Sequence, residues 1–180
     1  MGNILVLYKS KHGSSKQYAE WIAADLNADI YESSGFTNGD WEKYSTIVFC
    51  GGLYANSLNG VRILANNQTR LGGKKIVVVA CGISNPGNED SFERIQNGVY
   101  GKLPRAMREN VKVFQLRGGI KYSTLGFFEK LIMKMLENVV KKRNPDKLSP
   151  EEQQMASVLG KDFNFVDRSS IQPIVDYCKA

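Results

Sequence analysis

A short hydroxyl-rich turn lies near the start of the chain, between an apolar run and an amphipathic segment. Residues 10–16 of this turn read Ser-Lys-His-Gly-Ser-Ser-Lys. Residues 3–8 before it are typical of a buried parallel strand, and residues 17–26 after it are typical of an amphipathic helix. The first amide groups of a helix have no partner within it, and the helix dipole adds partial positive charge there. The arrangement predicts an anion site, and a phosphate is its natural ligand.

Three hydroxyl groups and one glycine could shape this site. Ser10, Ser14 and Ser15 can donate to phosphate oxygens, and Gly13 permits a turn that a Cβ would block. The chain has no G-x-x-x-x-G-K-[ST] sequence for a nucleoside triphosphate and no G-x-G-x-x-G sequence for a dinucleotide. The non-functional alternative is an ordinary helix with a serine N-cap.

Composition and charge limit the class of protein. The 180 residues, 42% of them hydrophobic, suffice for a full core, so we expect one domain over residues 1–180. We expect no signal sequence, because the first apolar run is short, and no membrane-spanning helix, because no apolar run reaches about 18 residues; both expectations favour a cytoplasmic protein. Cys50, Cys81 and Cys178 are isolated, which argues against disulfide, zinc and iron–sulfur sites. The net charge of +6 predicts attraction to a membrane surface, a nucleic acid, a carboxylate substrate or an acidic partner.

Strand-like and helix-like segments alternate along the chain. The predicted strands are residues 3–8, 28–32, 44–50, 74–81 and 111–116. The predicted helices are residues 17–26, 59–71, 89–100 and 169–178. This alternation predicts a three-layer α/β fold, in which helices cover both faces of a parallel sheet. With the anion turn after the first strand, it matches the flavodoxin-like strand order 2-1-3-4-5.

Three polar loops should meet at the carboxyl ends of these strands. Ligands of such sheets bind there, at the switch point between the first and third strands. Residues 10–15, 51–56 and 82–87 follow the first, third and fourth predicted strands. Response regulators share this topology but need clustered carboxylates at the ends of the first and third strands. None is present there, which excludes phosphoryl transfer to Asp.

The first loop resembles the FMN-phosphate loop of the flavodoxins, which usually reads [ST]-x-T-G-x-[ST]. His12 stands where that family usually has Thr. The resemblance implies FMN as the cofactor. Tyr54 would then stack on the isoalloxazine, or else cap the sheet edge. The predicted cofactor site comprises Ser10, Lys11, His12, Gly13, Ser14, Ser15, Gly51, Gly52, Leu53, Tyr54, Ala55, Gly82, Ile83, Ser84 and Asn85.

The glycines and polar residues of the second and third loops have particular expected roles in this site. Gly51 and Gly52 could let a backbone carbonyl approach flavin N5, and Ser84 and Asn85 could bond the pyrimidine edge. Cys81 is expected to pack the strand end. We predict no metal site and identify no catalytic side chain, because the chemistry would belong to the cofactor.

The chain carries about 40 residues after the fifth strand, where flavodoxin-type domains usually have one helix. Residues 120–161 are predicted to be a helical insertion within the domain. Residues 126–143 predict an amphipathic helix, and Ser149 and Pro150 predict the start of another. The apolar side of the first helix holds Phe128, Leu131, Ile132, Met135, Leu136 and Val139. It could associate reversibly with an acidic membrane or with a second copy, or pack on its own domain.

This insertion carries a closer resemblance. Residues 118–122, Gly-Gly-Ile-Lys-Tyr, and 127–135, Phe-Phe-Glu-Lys-Leu-Ile-Met-Lys-Met, resemble the quinone-dependent protoporphyrinogen dehydrogenase branch of the flavodoxin-domain family. The chain departs from that branch in residues 141–155 and between the fourth and fifth strands. The resemblance implies electron transfer from protoporphyrinogen IX through FMN to a membrane quinone. Arg62, Arg117 and Lys121 are candidates for contacting the substrate propionates, with a solvated surface charge as the alternative.

Three classes of function therefore stand beside one another. The first is an FMN-dependent dehydrogenase, the second a flavodoxin-type electron carrier, and the third a non-enzymatic module for another phosphate ligand. Carrier flavodoxins are acidic as a family, so the net charge of +6 argues against the second. The three convergent loops argue against the third. A small redox substrate or an electron-transfer partner is expected, and a nucleic acid is not.

Overall fold

A parallel sheet forms the middle layer of the structure, a computed structural model that describes residues 3–36, 39–54, 57–141, 153 and 157–180. In chain order its described elements are β1 (Asn3–Lys9), α1 (Ser14–Leu26), β2 (Asp29–Glu32), β3 (Tyr44–Tyr54), β4 (Ser57–Leu58), α2 (Arg62–Asn66), β5 (Lys75–Gly82), α3 (Glu89–Tyr100), α4 (Arg105–Arg108), β6 (Val111–Arg117), β7 (Gly119–Ile120), α5 (Phe127–Lys141), β8 (Phe163–Asn164) and α6 (Gln172–Lys179). Within this part of the chain, no helix is long and apolar enough to cross a membrane.

The strand order confirms the predicted fold. The parallel strands lie in the order β2-β1-β3-β5-β6, and the short β4 pairs antiparallel with β3. When β4 is left out of the count, this is the order 2-1-3-4-5. The fold is therefore α/β and flavodoxin-like, and the carboxyl ends of β1, β3 and β5 lie side by side.

Each face of the sheet is covered by its own hydrophobic cluster. Because side chains alternate along a strand, Leu5 and Leu7 of β1 pack on one face, whereas Val6 packs on the other. Helix α3 covers the first face through Ile95 and Val99. Helices α1 and α6 cover the second face. Each fully buried aliphatic side chain contributes about 1.5–3 kcal/mol to stability, which makes these two clusters the main support of the strand ends.

Two predicted boundaries on either side of the switch point are wrong. Helix α1 begins at Ser14, three residues before the predicted start at residue 17. Strand β3 continues to Tyr54, beyond the predicted end at Cys50, because Leu53 and Tyr54 pair with β4 in a hairpin. Residues 51–54, which were expected to form a loop, are therefore held in extended conformation at the carboxyl end of the central strand.

The predicted helix over residues 59–71 is also too long, since only Arg62–Asn66 is helical. The Asn67 side chain donates to the carbonyl of Ile63 at 2.8 Å, and a series of tight turns follows as far as Leu71. The side chain and the turns take over the carbonyl groups that a longer helix would have used.

The two ends of the extra segment after β6 lie next to each other. β7 pairs antiparallel with β8, so that Gly119 lies opposite Asn164 and Ile120 opposite Phe163. Close by, the Ser123 amide and hydroxyl both donate to the Asp162 carboxylate. The two ends of the segment are thus held together at the carboxyl edge of the sheet. The predicted helix start at Ser149 and Pro150, and residues 142–143 of the predicted helix 126–143, lie outside the described residues.

Among the side chains of α5 that the structure describes, the buried one is not on the predicted apolar side. Met133, which was not placed on the apolar side, is buried with Leu125 and Leu159. Leu131 and Met135, which were placed there, are exposed. The side chains of Phe128, Ile132, Leu136, Val139 and Lys141 lie outside the described residues. Contact with Leu125 and Leu159 decides the orientation of the helix, and periodicity within the helix cannot reveal such a contact.

Tyr18 ties α1 to the end of β6 and to the chain before α6. Its hydroxyl donates to the Arg117 carbonyl at 2.7 Å and accepts from the Asp167 amide at 3.0 Å. Burial raises the pKa of this hydroxyl, so it stays neutral at physiological pH. Because both partners are backbone groups, loss of the hydroxyl would leave two polar groups unsatisfied.

We expect Tyr18→Phe to lower the free energy of unfolding by about 1–3 kcal/mol, the cost of leaving buried polar groups without hydrogen bonds. Urea unfolding followed by circular dichroism measures the change. Tyr31→Phe is the matched control, because Tyr31 is exposed on β2. Equal stability of the two variants would contradict the bridging role of Tyr18.

Candidate functional site

A cavity of about 260 Å³ opens at the carboxyl ends of β1, β3, β5 and β6. It is lined by Ser10, Lys11, His12, Ser14, Ser15, Gly52, Leu53, Tyr54, Cys81, Gly82, Ile83, Gly118, Gly119, Ile120, Leu125 and Met133. The structure therefore brings the three predicted loops together and adds a fourth segment, which follows β6. Among the described residues that line the cavity, none is Asp or Glu.

The turn after β1 has the geometry of an anion site. Gly13 has a φ of 94°, which only glycine adopts without strain, and its amide donates to Ser10 Oγ at 3.1 Å. Helix α1 then begins at Ser14, so the amides of Ser14, Ser15 and Lys16 have no acceptor within the helix. Gly13 itself does not line the cavity; it shapes the turn that places the helix start there.

The three serines of the turn have different partners. Ser14 Oγ accepts from the Gly119 amide at 2.9 Å and lies 3.4 Å from the Gly119 carbonyl, so this hydroxyl links the turn to the segment after β6. Ser15 is buried and hydrogen-bonded to the Cys81 thiol. Ser10 accepts from the Gly13 amide and can direct its own O–H toward a ligand. Of the three hydroxyls, that of Ser10 is the best placed to bind a phosphate.

Cys81 is a packing residue at this site. Burial raises the pKa of its thiol to about 12, and the hydrogen bond with Ser15 only partly opposes this effect. The thiol is therefore protonated at neutral pH and a poor nucleophile. Within the described residues, no group of His, Cys, Asp and Glu side chains could hold a metal ion.

The end of β3 supplies an aromatic wall. Tyr54 and Leu53 line the cavity, and the Tyr54 ring lies 5.9 Å from the His12 ring, centroid to centroid, at an interplanar angle of 55°. Gly51 does not line the cavity. A Cβ there would lie 2.8 Å from the Asn59 carbonyl, so the glycine allows the turn after β4 to approach β3. Stacking of Tyr54 on a flavin stays a prediction. Ala55 lies outside the described residues.

Only the first half of the predicted loop after β5 lines the cavity. Gly82 and Ile83 do so, whereas Ser84 and Asn85 do not. The Ser84 carbonyl accepts from the Gln115 side chain at 3.0 Å, and Asn85 Oδ1 accepts from the Gly87 amide at 3.1 Å. These two hydrogen bonds shape the loop, and contact of Ser84 and Asn85 with a cofactor stays a prediction.

The segment after β6 also lines the cavity, although none of its residues was among the predicted cofactor contacts. The Gly118 amide donates to the Gly82 carbonyl at 2.6 Å, and a Cβ on Gly119 would lie 2.7 Å from the Phe163 carbonyl. Close approach of backbone to backbone therefore explains this pair of glycines. Two consecutive glycines at the end of a strand, beside a predicted ligand site, were the available signal. Ile120, Leu125 and Met133 continue the wall with apolar side chains.

The three cations predicted to contact a substrate do not line the cavity. The Arg117 guanidinium lies 3.8 Å from the centroid of the Phe165 ring, and its Nε donates to the Ile83 carbonyl at 3.3 Å. These contacts tie Arg117 to the protein. Arg62 and Lys121 are exposed and are absent from the described lining. Lys11 and His12 are the basic residues that do line it.

A family model described as a flavodoxin domain matches residues 5–147. This chain belongs to the flavodoxin-domain family. Its match covers the turn after β1 and every strand of the parallel sheet. Membership of the flavodoxin-domain family points to FMN as the cofactor, in agreement with the sequence prediction. No curated protein matches this flavodoxin-domain chain.

Several solved structures resemble this flavodoxin-domain protein in fold. A flavodoxin from the domain Archaea is 13% identical, with 88% of this chain and 93% of that chain covered and a TM-score of 0.43. A flavoprotein from Lactobacillus acidophilus NCFM in complex with FMN is 13% identical, with 65% and 93% covered and a TM-score of 0.40. An FMN-dependent NADH-azoreductase from Bacillus anthracis str. Ames Ancestor in complex with FMN is 11% identical, with 89% and 100% covered and a TM-score of 0.45.

Proposed function

We propose that this flavodoxin-domain protein is an oxidoreductase that holds FMN in the cavity, takes electrons from protoporphyrinogen IX and passes them to a quinone. The observation that carries the proposal is the make-up of the cavity. Hydroxyl and amide donors lie at the start of α1, apolar and aromatic walls lie beyond them, and no described lining residue is acidic. Such a cavity suits a ligand with an anionic end and a flat apolar ring system.

The residues present fit FMN. Ser10 and the first amides of α1 would hold the phosphate, since both are donors and the helix dipole adds positive charge there. Tyr54 and Leu53 on one side, with Ile83 from the end of β5, would bound the ring system. When bound, FMN supplies the two-electron chemistry, and the chain supplies position, shielding and charge.

The charge of the lining favours transfer of electrons onto the cofactor. Lys11 and His12 line the cavity, so negative charge there costs less than in a cavity with acidic walls. A tenfold shift of the equilibrium toward the reduced cofactor is worth about 1.4 kcal/mol, or roughly 30 mV for a two-electron couple. The same residues suit a substrate that carries carboxylates. They take over the role first expected of Arg117, whose guanidinium is held by Phe165 and Ile83.

The identity of the substrate rests on the sequence resemblance of residues 118–122 and 127–135 to the protoporphyrinogen dehydrogenase branch. Gly118, Gly119, Ile120 and Met133 of these stretches lie in the cavity wall, where they could contact a substrate. We expect the FMN-loaded protein to accelerate oxidation of protoporphyrinogen IX by a naphthoquinone under anaerobic conditions. Porphyrin fluorescence follows the reaction, and protein without FMN gives the background rate. No acceleration with FMN fully loaded would reject this substrate.

An electron carrier is the second candidate, favoured by membership of the flavodoxin-domain family as a whole. A carrier would exchange electrons with one-electron protein partners at low potential and would not turn over a small substrate. Stopped-flow oxidation of the dithionite-reduced protein, by a naphthoquinone and separately by a one-electron protein acceptor, distinguishes the two. A rapid reaction with the protein acceptor alone would favour the carrier. A chain that binds no FMN would favour a module for another phosphate ligand.

A further inference from the structure

Helix α5 carries apolar side chains on two opposite sides. Met133 is 7% exposed and faces Leu125 and Leu159, next to the cavity. Leu131 and Met135 are each two residues from Met133, so both lie about 160° around the helix from it. They are 48% and 62% exposed. One apolar side of the helix is therefore used by the fold, and a second is presented to the solvent.

The outward side is a stripe of three apolar side chains along the helix. Phe127, Leu131 and Met135 follow one another at intervals of four residues, and Phe127 is 78% exposed. These three residues account for all but one of the large exposed hydrophobic side chains in the described part of the chain; the other is Tyr31 on β2. Scattered exposed apolar residues are normal, whereas a stripe on one helix marks an interaction surface.

The charged residues around this stripe are mainly basic, which favours an anionic partner. Lys134 is exposed about 60° around the helix from Leu131. Residues 101–150 contain twelve Lys and Arg against four Asp and Glu, in a chain whose net charge is only +6. The basic excess of the chain thus lies in the stretch that contains α5. An apolar stripe flanked by basic residues fits an anionic bilayer, whereas a nucleic acid offers no apolar layer for Leu131 and Met135.

We propose that α5 docks the protein on an anionic lipid surface, with Phe127, Leu131 and Met135 inserted at the level of the lipid headgroups and Lys134 beside them. Met133, on the opposite side of the same helix, lines the cavity. Docking would therefore place the cavity wall within one helix diameter of the lipid, about 10–12 Å. An apolar redox partner dissolved in the bilayer would reach the site without crossing water. The docking itself does not depend on the flavin chemistry.

The test is flotation of the full chain with vesicles, either of phosphatidylcholine alone or of phosphatidylcholine and phosphatidylglycerol in equal parts. We expect binding to the anionic vesicles at low salt and a marked loss at about 1 M NaCl, where the Debye length is about 3 Å. Leu131→Gln should lower the partition coefficient more than about fivefold and Lys134→Gln about fivefold. Tyr31→Gln is the matched control, because Tyr31 is 45% exposed on another element.

The possible results distinguish a lipid surface from a second copy of the chain as the partner of this stripe. Thermal unfolding should be unchanged in Leu131→Gln, since the side chain is exposed, so loss of flotation in that variant cannot be assigned to misfolding. Equal binding of both vesicle types, or binding that Leu131→Gln leaves intact, would overturn the proposal. Absence of flotation, together with a dimer in light scattering that Leu131→Gln dissociates, would assign the stripe to a second copy of the chain instead.

Discussion

Replacement of Ser10 by alanine is expected to weaken FMN binding by about 10- to 100-fold. Ser10 is the serine of the first loop whose hydroxyl is not engaged with Gly119 or Cys81, and its oxygen also holds the Gly13 amide. A hydrogen bond to a charged group is worth about 1.5–3 kcal/mol, and each 1.4 kcal/mol is a factor of ten. Titration of FMN fluorescence against the apoprotein gives the dissociation constants.

Ser45→Ala is the control for this loss. Ser45 is exposed at the start of β3, at the opposite end of the sheet from the cavity. Its replacement should leave FMN affinity unchanged. If Ser10→Ala binds FMN as tightly as Ser45→Ala does, then Ser10 does not contact the phosphate and the assignment of the first loop fails.

Gly119→Ala is expected to reduce both stability and FMN affinity. A Cβ at this position would lie 2.7 Å from the Phe163 carbonyl and 2.9 Å from Asn164 Cα, so the backbone pairing of β7 and β8 would have to open. Overpacking of this kind costs about 1–3 kcal/mol. Because the Gly119 amide donates to Ser14 Oγ, the start of α1 should shift as well, and we expect FMN affinity to fall about tenfold.

Gly72→Ala provides the comparison. Gly72 is exposed, and a Cβ there would meet only the Thr69 carbonyl, at 3.9 Å. Chemical denaturation and FMN titration of the two variants should separate them clearly. Wild-type affinity in Gly119→Ala, with stability lowered, would show that the segment after β6 supports the fold without shaping the cofactor site.

Local pattern was sufficient for the sheet and for the centre of the site. The runs of β1, β3 and β5 are apolar because both faces of a parallel sheet are buried, so the strands could be located from the sequence. Their order followed from the alternation of strands and helices, with the anion turn after the first strand. The turn over residues 10–15 combines a glycine with positive φ and a helix start, and both features are encoded within six residues. The topology predicted that the cavity would lie at the carboxyl ends of the strands.

The parts that depend on contacts distant in sequence could not be predicted. Ser14 reads as a phosphate ligand, yet its partner Gly119 is 105 residues away. Arg117 reads as a cation that contacts either the substrate propionates or the solvent, yet its guanidinium lies over the Phe165 ring. Met133 is buried because Leu125 and Leu159 meet it, whereas periodicity had placed the apolar side elsewhere on α5. In each case a partner from another element decides what the side chain does.

Equilibrium titration of the purified apoprotein with FMN and, in parallel, with riboflavin tests the central claim most directly. The two ligands share the ring system and differ in the phosphate, which the start of α1 is proposed to hold. We expect one FMN to bind per chain, more than about tenfold more tightly than riboflavin, with the preference lost in Ser10→Ala. No binding of FMN, or equal binding of both ligands, would contradict the account.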